Sequence, residues 1–254
     1  MHIETTGTGP ALVLLHGWAM HGGLFAPLIE RLRHDFTVHA VDLPGHGHSR
    51  DSATPLQLDA IVDALATRLP SAIWAGWSMG GLVALHAAAR QPAQVRGLVM
   101  LAASPRFVRD HDWPAGMEAA VFRGFARELA LDYRETLDRF LMLEAQGAEQ
   151  QREKLRVLRE QIFARGEPGE ATLLAGLALL DSSDLRATLP QLACPSLWLA
   201  GRRDRLVSPL AMQAAAALAP AAQFVEFGSG GHAPFITHPG EVAEALVAFS
   251  ERLP

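Results

Sequence analysis

The amino-acid sequence predicts an α/β fold: a mostly parallel sheet flanked by helices, with an inserted helical cap. Three observations carry that expectation. Apolar runs of strand length alternate with segments of helical period along most of the chain. One run, Ala72–Trp77, meets a helix-like segment at a serine framed by glycines, Gly76-Trp77-Ser78-Met79-Gly80. The alternation stops between residues 105 and 189, where apolar residues recur only at helical spacing.

Taken in order, Ala11–Leu15 is a continuous apolar run ending in His16-Gly17-Trp18. Strands buried on both faces of a parallel sheet read this way, without polar alternation. A loop over residues 16–23 and a helix over 24–33 follow. The next strand, 36–41, closes on Asp42-Leu43-Pro44-Gly45-His46-Gly47-His48-Ser49. A helix is expected over 55–69, where Leu56, Leu58, Ile61, Val62 and Leu65 are the apolar residues. Then come the strand at 72–77, a helix at 82–90 and a strand at 95–103. Four helices are expected in the cap, over 117–131, 133–146, 149–163 and 171–180. The alternation resumes with a strand at 196–200, a helix at 209–218, a strand at 223–227 and a terminal helix at 241–252. Parallel neighbours in such an order require right-handed crossovers. The expected division is therefore a core of residues 1–104 and 190–254, and a cap of residues 105–189.

The chain has 254 residues, 49% of them hydrophobic and 19% charged, enough for one large α/β domain with a substantial core. Its net charge of −5 argues against nucleic acid as a partner. One cysteine, Cys194, excludes an internal disulfide. The start Met1-His2-Ile3-Glu4 has no signal-peptide pattern, and no apolar run reaches membrane-spanning length. The expectation is a cytoplasmic monomer with no membrane partner.

The chemistry centres on Ser78. In the G-x-S-x-G spacing a serine sits on a sharp strand-to-helix turn, with its hydroxyl projecting above the sheet. A serine hydroxyl is a weak nucleophile until a base takes its proton, and the base needs an orienting carboxylate. In this architecture the chain order is serine, acid, histidine, each just past the carboxyl end of a strand. Asp204 meets the acid requirement, in Gly201-Arg202-Arg203-Asp204-Arg205-Leu206-Val207 after the strand at 196–200. Asp181 and Asp184 are rivals that follow helical sequence. His232 meets the base requirement, in the glycine-rich loop Gly228-Ser229-Gly230-Gly231-His232-Ala233-Pro234-Phe235, with His238 as its nearest rival. The oxyanion donors are expected to be the N–H groups of Met79, at a helix N-terminus, and Trp18, whose ring would line the acyl site. His46-x-His48 lacks a third ligand of suitable spacing, so no metal and no cofactor are expected.

With His16-Gly17-Trp18, Asp42-Leu43-Pro44-Gly45-His46-Gly47, Ser78, Asp204 and His232 in this order, the whole chain resembles the α/β hydrolases. Further segments resemble the pimeloyl-acyl-carrier-protein methyl ester esterases of biotin synthesis. These are residues 74–84, Ala103-Ser104-Pro105-Arg106-Phe107 with Trp113-Pro114, Arg139-Phe140-Leu141-Met142-Leu143 with Gly147, and residues 231–239. That resemblance implies a serine carboxylesterase releasing methanol from the far end of a pimeloyl chain, with the acyl-carrier protein as partner. It implies that Phe140, Leu141, Leu143 and Glu144 line the acyl tunnel, although by pattern alone Phe140, Leu141 and Leu143 serve equally as cap packing. Arg152, Arg156 and Arg159 share one face of an expected helix, and Arg139 lies on the helix before it. The resemblance makes them a docking face for an acidic carrier; the alternative is a solvated face interleaved with Glu153 and Glu160. Glu135 stands where the resemblance implies a basic residue. Two other functions fit the core motifs: a broad short-chain carboxylesterase or carbon–carbon hydrolase using the same triad, and a non-catalytic small-ligand receptor.

Overall fold

The computed structural model describes residues 1–132, 134–136, 160 and 163–253, and the structural statements below concern these. Seven strands form one sheet: β1 (His2–Gly7), β2 (Ala11–Leu15), β3 (Thr37–Asp42), β4 (Ala72–Trp77), β5 (Val95–Leu101), β6 (Ser196–Gly201) and β7 (Ala222–Phe227). Their spatial order is β1-β3-β2-β4-β5-β6-β7. Every neighbouring pair is parallel except β1 with β3.

Strand periodicity divides the core into two layers. From β2, Val13 and Leu15 point to the layer that also holds Trp74, Leu82, Met100 and Trp198. Leu12 and Leu14 point to the other, with Phe25, Phe235 and Phe249. Covering helices complete both layers: α1 (Ala26–Leu32), α2 (Leu58–Ala66), α3 (Met79–Arg90), α6 (Pro209–Ala216) and α8 (Pro239–Ser250), the last after a short α7 (Pro234–Thr237). Trp74 and Trp198 are the largest fully buried side chains.

Between β5 and β6 the described residues hold α4 (Ala119–Leu131), α5 (Glu170–Ser182) and a 3-10 turn at Arg186–Gln191, with no named strand. The expected helices at 133–146 and 149–163 fall almost wholly outside the described residues. The two ends of this stretch are tied together. Leu185 N–H donates to the Pro105 carbonyl at 2.9 Å, and Arg106 reaches Asp110 at 2.6 Å and Asp184 at 2.8 Å.

Several expectations need correction. β1 was not anticipated, because His2–Gly7 is a mostly exposed edge strand with no apolar run to mark it. The helix expected at 24–33 is a 3-10 turn, Gly22–Phe25, followed by α1 with Pro27 in its first turn, where a missing N–H costs nothing. The helix expected from 82 begins at Met79, directly after the serine.

The register aligns the carboxyl ends of the parallel strands. Leu15 pairs with Gly76, Trp77 with Leu101, Leu101 with Leu199 and Gly201 with Phe227. The loops that follow β2, β4, β6 and β7 therefore meet along one edge. One of the tight contacts there is between α3 and β2. A β-carbon on Gly80 would press into the Leu15 carbonyl and lie 2.7 Å from the His16 carbonyl oxygen. Both are backbone and cannot move aside. Gly80→Ala is expected to lose about 2 kcal/mol despite its better helix propensity; urea denaturation of the two proteins checks this.

Candidate active site

Ser78 occupies the turn between β4 and α3 with φ +53° and ψ −120°, a left-handed conformation that a side chain rarely adopts. Such a residue stores about 1–3 kcal/mol of strain and persists only when its surroundings over-determine it. Here they do. A β-carbon on Gly76 would run into the Gly80 carbonyl and sit 2.5 Å from Gly81 Cα, and one on Gly81 would collide with Ala103. The strand and helix touch through bare backbone, so the turn has no room to relax. Its N–H donates to the Leu101 carbonyl at 3.1 Å.

Asp204 and His232 come together from the loops after β6 and β7. His232 Nδ1 lies 2.8 Å from Asp204 Oδ2, and both side chains are buried. A carboxylate only accepts, so Nδ1 carries the proton and Nε2 is left as the basic nitrogen. The other oxygen, Oδ1, accepts from the N–H groups of Leu206 at 2.8 Å and Val207 at 2.9 Å. These bonds fix the carboxylate plane and turn Oδ2 toward the imidazole. Trp77, just before Ser78, donates its indole N–H to the His232 carbonyl at 2.7 Å. It thereby ties the histidine loop to the serine strand, a role that no sequence motif announced.

Ser78 and His232 open onto one cavity of about 230 Å³, lined mainly by Trp18, Trp77, Phe107, Phe122, Leu177 and Leu180. Gly17 passes directly over the serine: a β-carbon there would lie 3.2 Å from Ser78 Cβ. Trp18 follows and lines the cavity, and Ala19 is left-handed at φ +62°. Met79 is fully buried at the start of α3.

A buried polar cluster supports this loop from behind. His16 Nδ1–H donates to the Gly17 carbonyl at 2.7 Å, and its Nε2 accepts the Leu43 N–H at 2.9 Å. Both nitrogens are satisfied only by the neutral ring. Burial, with the neighbouring His46, lowers the His16 pKa to about 3. His46 Nδ1–H donates to the Pro44 carbonyl at 2.9 Å, and burial lowers its pKa to about 4. Burial works against the Asp42 carboxylate. Its neighbour His16, the N–H groups of His48 and Gly22, and Arg165 outweigh that effect and hold it below the usual carboxylate value. Arg165 reaches Asp42 at 3.3 Å and Glu4 at 2.7 Å. The pairing of Asp42 with Arg165 has no sequence signal, because the two residues are far apart in the chain and share no motif.

The rivals lie elsewhere. Asp181 is exposed on α5. Asp184 is bound by Arg186 and Arg106, which hold its carboxyl well below the usual range. His238 shares hydrogen bonds with Ser229 and Thr237 on the surface. Phe140, Leu141, Leu143 and Glu144, together with Arg139, Arg152, Arg156 and Arg159, lie outside the described residues.

Known proteins match this arrangement. The sequence profile of the alpha/beta hydrolase fold matches residues 10–239. The pimeloyl-[acyl-carrier protein] methyl ester esterase of Stenotrophomonas maltophilia (strain K279a) is 61% identical over 249 residues, covering 98% of this chain and 96% of its own. The protein of the same name from Xanthomonas axonopodis pv. citri is 58% identical over 254 residues, covering 100% of both. The chain belongs to this family of α/β hydrolases. Among solved structures, an esterase from Exiguobacterium antarcticum superposes with a TM-score of 0.88 at 21% identity, covering 98% of this chain and 95% of that one. At that identity it speaks for the fold alone. In this esterase family member, the matched span includes β2 through α7, and so every loop that reaches the cavity from the sheet.

The buried histidines make stability depend on pH. Both His16 and His46 have folded-state values below the ordinary 6.5. Between pH 6.5 and about 4 the unfolded chain therefore binds more protons than the folded one. Their contribution is complete above pH 6.5 and shrinks as pH falls. From pH 7 to pH 5 each histidine is expected to remove about 2 kcal/mol. Urea midpoints at the two pH values check this, and His46→Asn, which keeps a donor for Pro44, is expected to flatten the slope.

Proposed function

We propose that the chain is the serine carboxylesterase that hydrolyses the methyl ester of pimeloyl-[acyl-carrier protein], giving pimeloyl-[acyl-carrier protein] and methanol for biotin synthesis. The observation that carries this reading is the 58–61% identity, over nearly all of both chains, to proteins bearing that name. The identity spans residues 105–189, where a substrate-selecting cap differs most between hydrolases of one fold.

In this reading Ser78, His232 and Asp204 are the triad. His232 Nε2 takes the Ser78 proton as the oxygen attacks the ester carbonyl. The N–H groups of Met79 and Trp18 hold the oxyanion, helped by the positive end of α3. Collapse expels methoxide, which leaves as methanol with the proton from His232. Water then attacks the acyl-enzyme by the same steps in reverse roles, and the free carboxylate departs. Asp204 keeps the imidazole in its working tautomer and balances its charge when protonated. The apolar cavity suits the five methylenes of a pimeloyl chain, whose burial supplies about 4 kcal/mol of binding. No step calls for a cofactor.

Residues 105–189 act as the cap over a core of 1–104 and 190–254. Within the cap, Phe140, Leu141, Leu143 and Glu144 line the acyl path, and Arg139, Arg152, Arg156 and Arg159 receive the acidic carrier. Charge complementarity of that kind sets association more than chemistry. The enzyme works as a cytoplasmic monomer on this reading.

Mass spectrometry of methyl pimeloyl-carrier protein incubated with the enzyme tests the substrate: a loss of 14 mass units, about one methylene, is expected per turnover. Ser78→Ala is expected to lower turnover by about 10⁴-fold or more while leaving the melting temperature in place. Changing Arg152, Arg156 and Arg159 together to Glu is expected to raise KM for the carrier substrate about tenfold or more and to spare p-nitrophenyl esters. A carrier-bound ester left intact while p-nitrophenyl esters turn over would reduce the enzyme to a general esterase.

A further inference from the structure

Helix α5 runs over the site and carries a glycine in its middle. Its buried residues Leu173, Gly176, Leu177 and Leu180 follow one helical face, at i, i+3, i+4 and i+7. Glycine inside a helix is less stable than alanine by about 1 kcal/mol, so Gly176 does not serve the helix itself. What it supplies is space. A β-carbon there would collide with Trp18 Cδ1, lie 2.8 Å from Trp18 Nε1 and 3.4 Å from Met79 Sδ. These are the side chains of the two residues assigned as oxyanion donors.

One turn earlier, the Leu173 carbonyl accepts the Trp18 indole N–H at 2.9 Å. A helical carbonyl has a second lone pair free for such a bond. Leu173, Leu129 of α4 and Ala19 form a small separate apolar cluster, and the Trp18 ring packs against it. Ala19 is left-handed, so the turn that presents the Trp18 N–H depends on outside contacts to keep its shape. Those contacts come from α4 and α5.

We propose that Gly176 and the Leu173 carbonyl are positioning elements for the oxyanion hole. They seat the Cδ1–Nε1 edge of the Trp18 indole against α5 and so aim its main-chain N–H at the reacting carbonyl. The hole is complete only while α5 lies on the core, and a substrate bound under a displaced α5 meets one donor in place of two. The inference rests on Ser78 and Trp18 having the roles assigned above, and not on the identity of the acyl group.

The test is a cycle of Gly176→Ala, Trp18→Ala and the double variant, read with p-nitrophenyl butyrate, thermal melting and ¹⁵N spectra of the indole N–H groups. Trp18→Ala identifies the Trp18 signal by its loss. Gly176→Ala is expected to lower kcat about tenfold or more with KM changed less than about threefold, since a donor displaced by about 1 Å loses most of its effect. Its melting temperature should change little, because alanine's helix propensity offsets much of the cost of displacing the indole. The Trp18 indole signal should shift. In the Trp18→Ala background, the same glycine change should alter kcat less than about twofold, as the atom it strikes is gone. Equal losses in both backgrounds would mark Gly176 as merely structural and overturn the proposal. So would a shifted indole with unchanged kcat, or an unshifted one. A wild-type enzyme inert toward the carrier-bound ester would overturn the substrate reading alone, because the small ester still reports the hole.

Discussion

The contact on which the site depends is the one between the end of β4 and the start of α3. Three glycines, at 76, 80 and 81, bring strand, helix and the β2 carbonyls to distances that exclude any β-carbon. Ser78 is pinned between them in a left-handed conformation. Strain of this kind is useful because it leaves the hydroxyl one orientation, above the sheet edge and at the positive end of a helix. Because the parallel strands end in register, the loops after β6 and β7 that carry Asp204 and His232 arrive at the same edge without long excursions.

Around that point the molecule separates two environments. In front is an apolar cavity, with Trp18, Phe107, Phe122 and Leu177 among its walls. Behind the loop that follows β2 is a buried polar cluster built from His16, Asp42, His46 and Arg165. A low-dielectric cavity strengthens every dipole aimed into it, but it cannot itself hold a backbone loop in place. Hydrogen bonds from the rear cluster do that. They require neutral imidazoles and an ionised Asp42, so the loop's support depends on protonation states that burial and neighbouring N–H groups impose.

The stretch between β5 and β6 is joined to the core at the site itself. Arg165 neutralises Asp42, and α5 holds Trp18. A hydrolase that closes an apolar chain into a cavity needs its cover and its oxyanion donors in agreement. Here the first connection ends on Asp42, at the carboxyl end of β3, whose carboxylate also accepts the Gly22 N–H at 2.7 Å, and the second ends on Trp18, in the loop that follows β2. The relatives that share this chain's length share the whole of that arrangement's sequence span.

Much of this was legible in the sequence. Six of the seven strands were legible, β2, β4 and β6 most plainly, because strands buried on both faces have no polar side to disguise them. That Ser78, Asp204 and His232 follow strand ends was readable because each stands in a short local pattern just after such a run. β1 was not, since His2–Gly7 becomes a strand only by pairing with β3. Nor were the bond from Trp77 to His232 and the pairing of Asp42 with Arg165, whose members lie 155 and 123 residues apart in the chain. Nothing local in the sequence marks Gly176; only the fold sets Trp18 against it. A sequence determines by itself what is local: period, turn chemistry and the spacing of a motif. Which distant backbone a missing side chain makes room for, and which buried charge a remote arginine answers, is decided only when the chain has closed on itself.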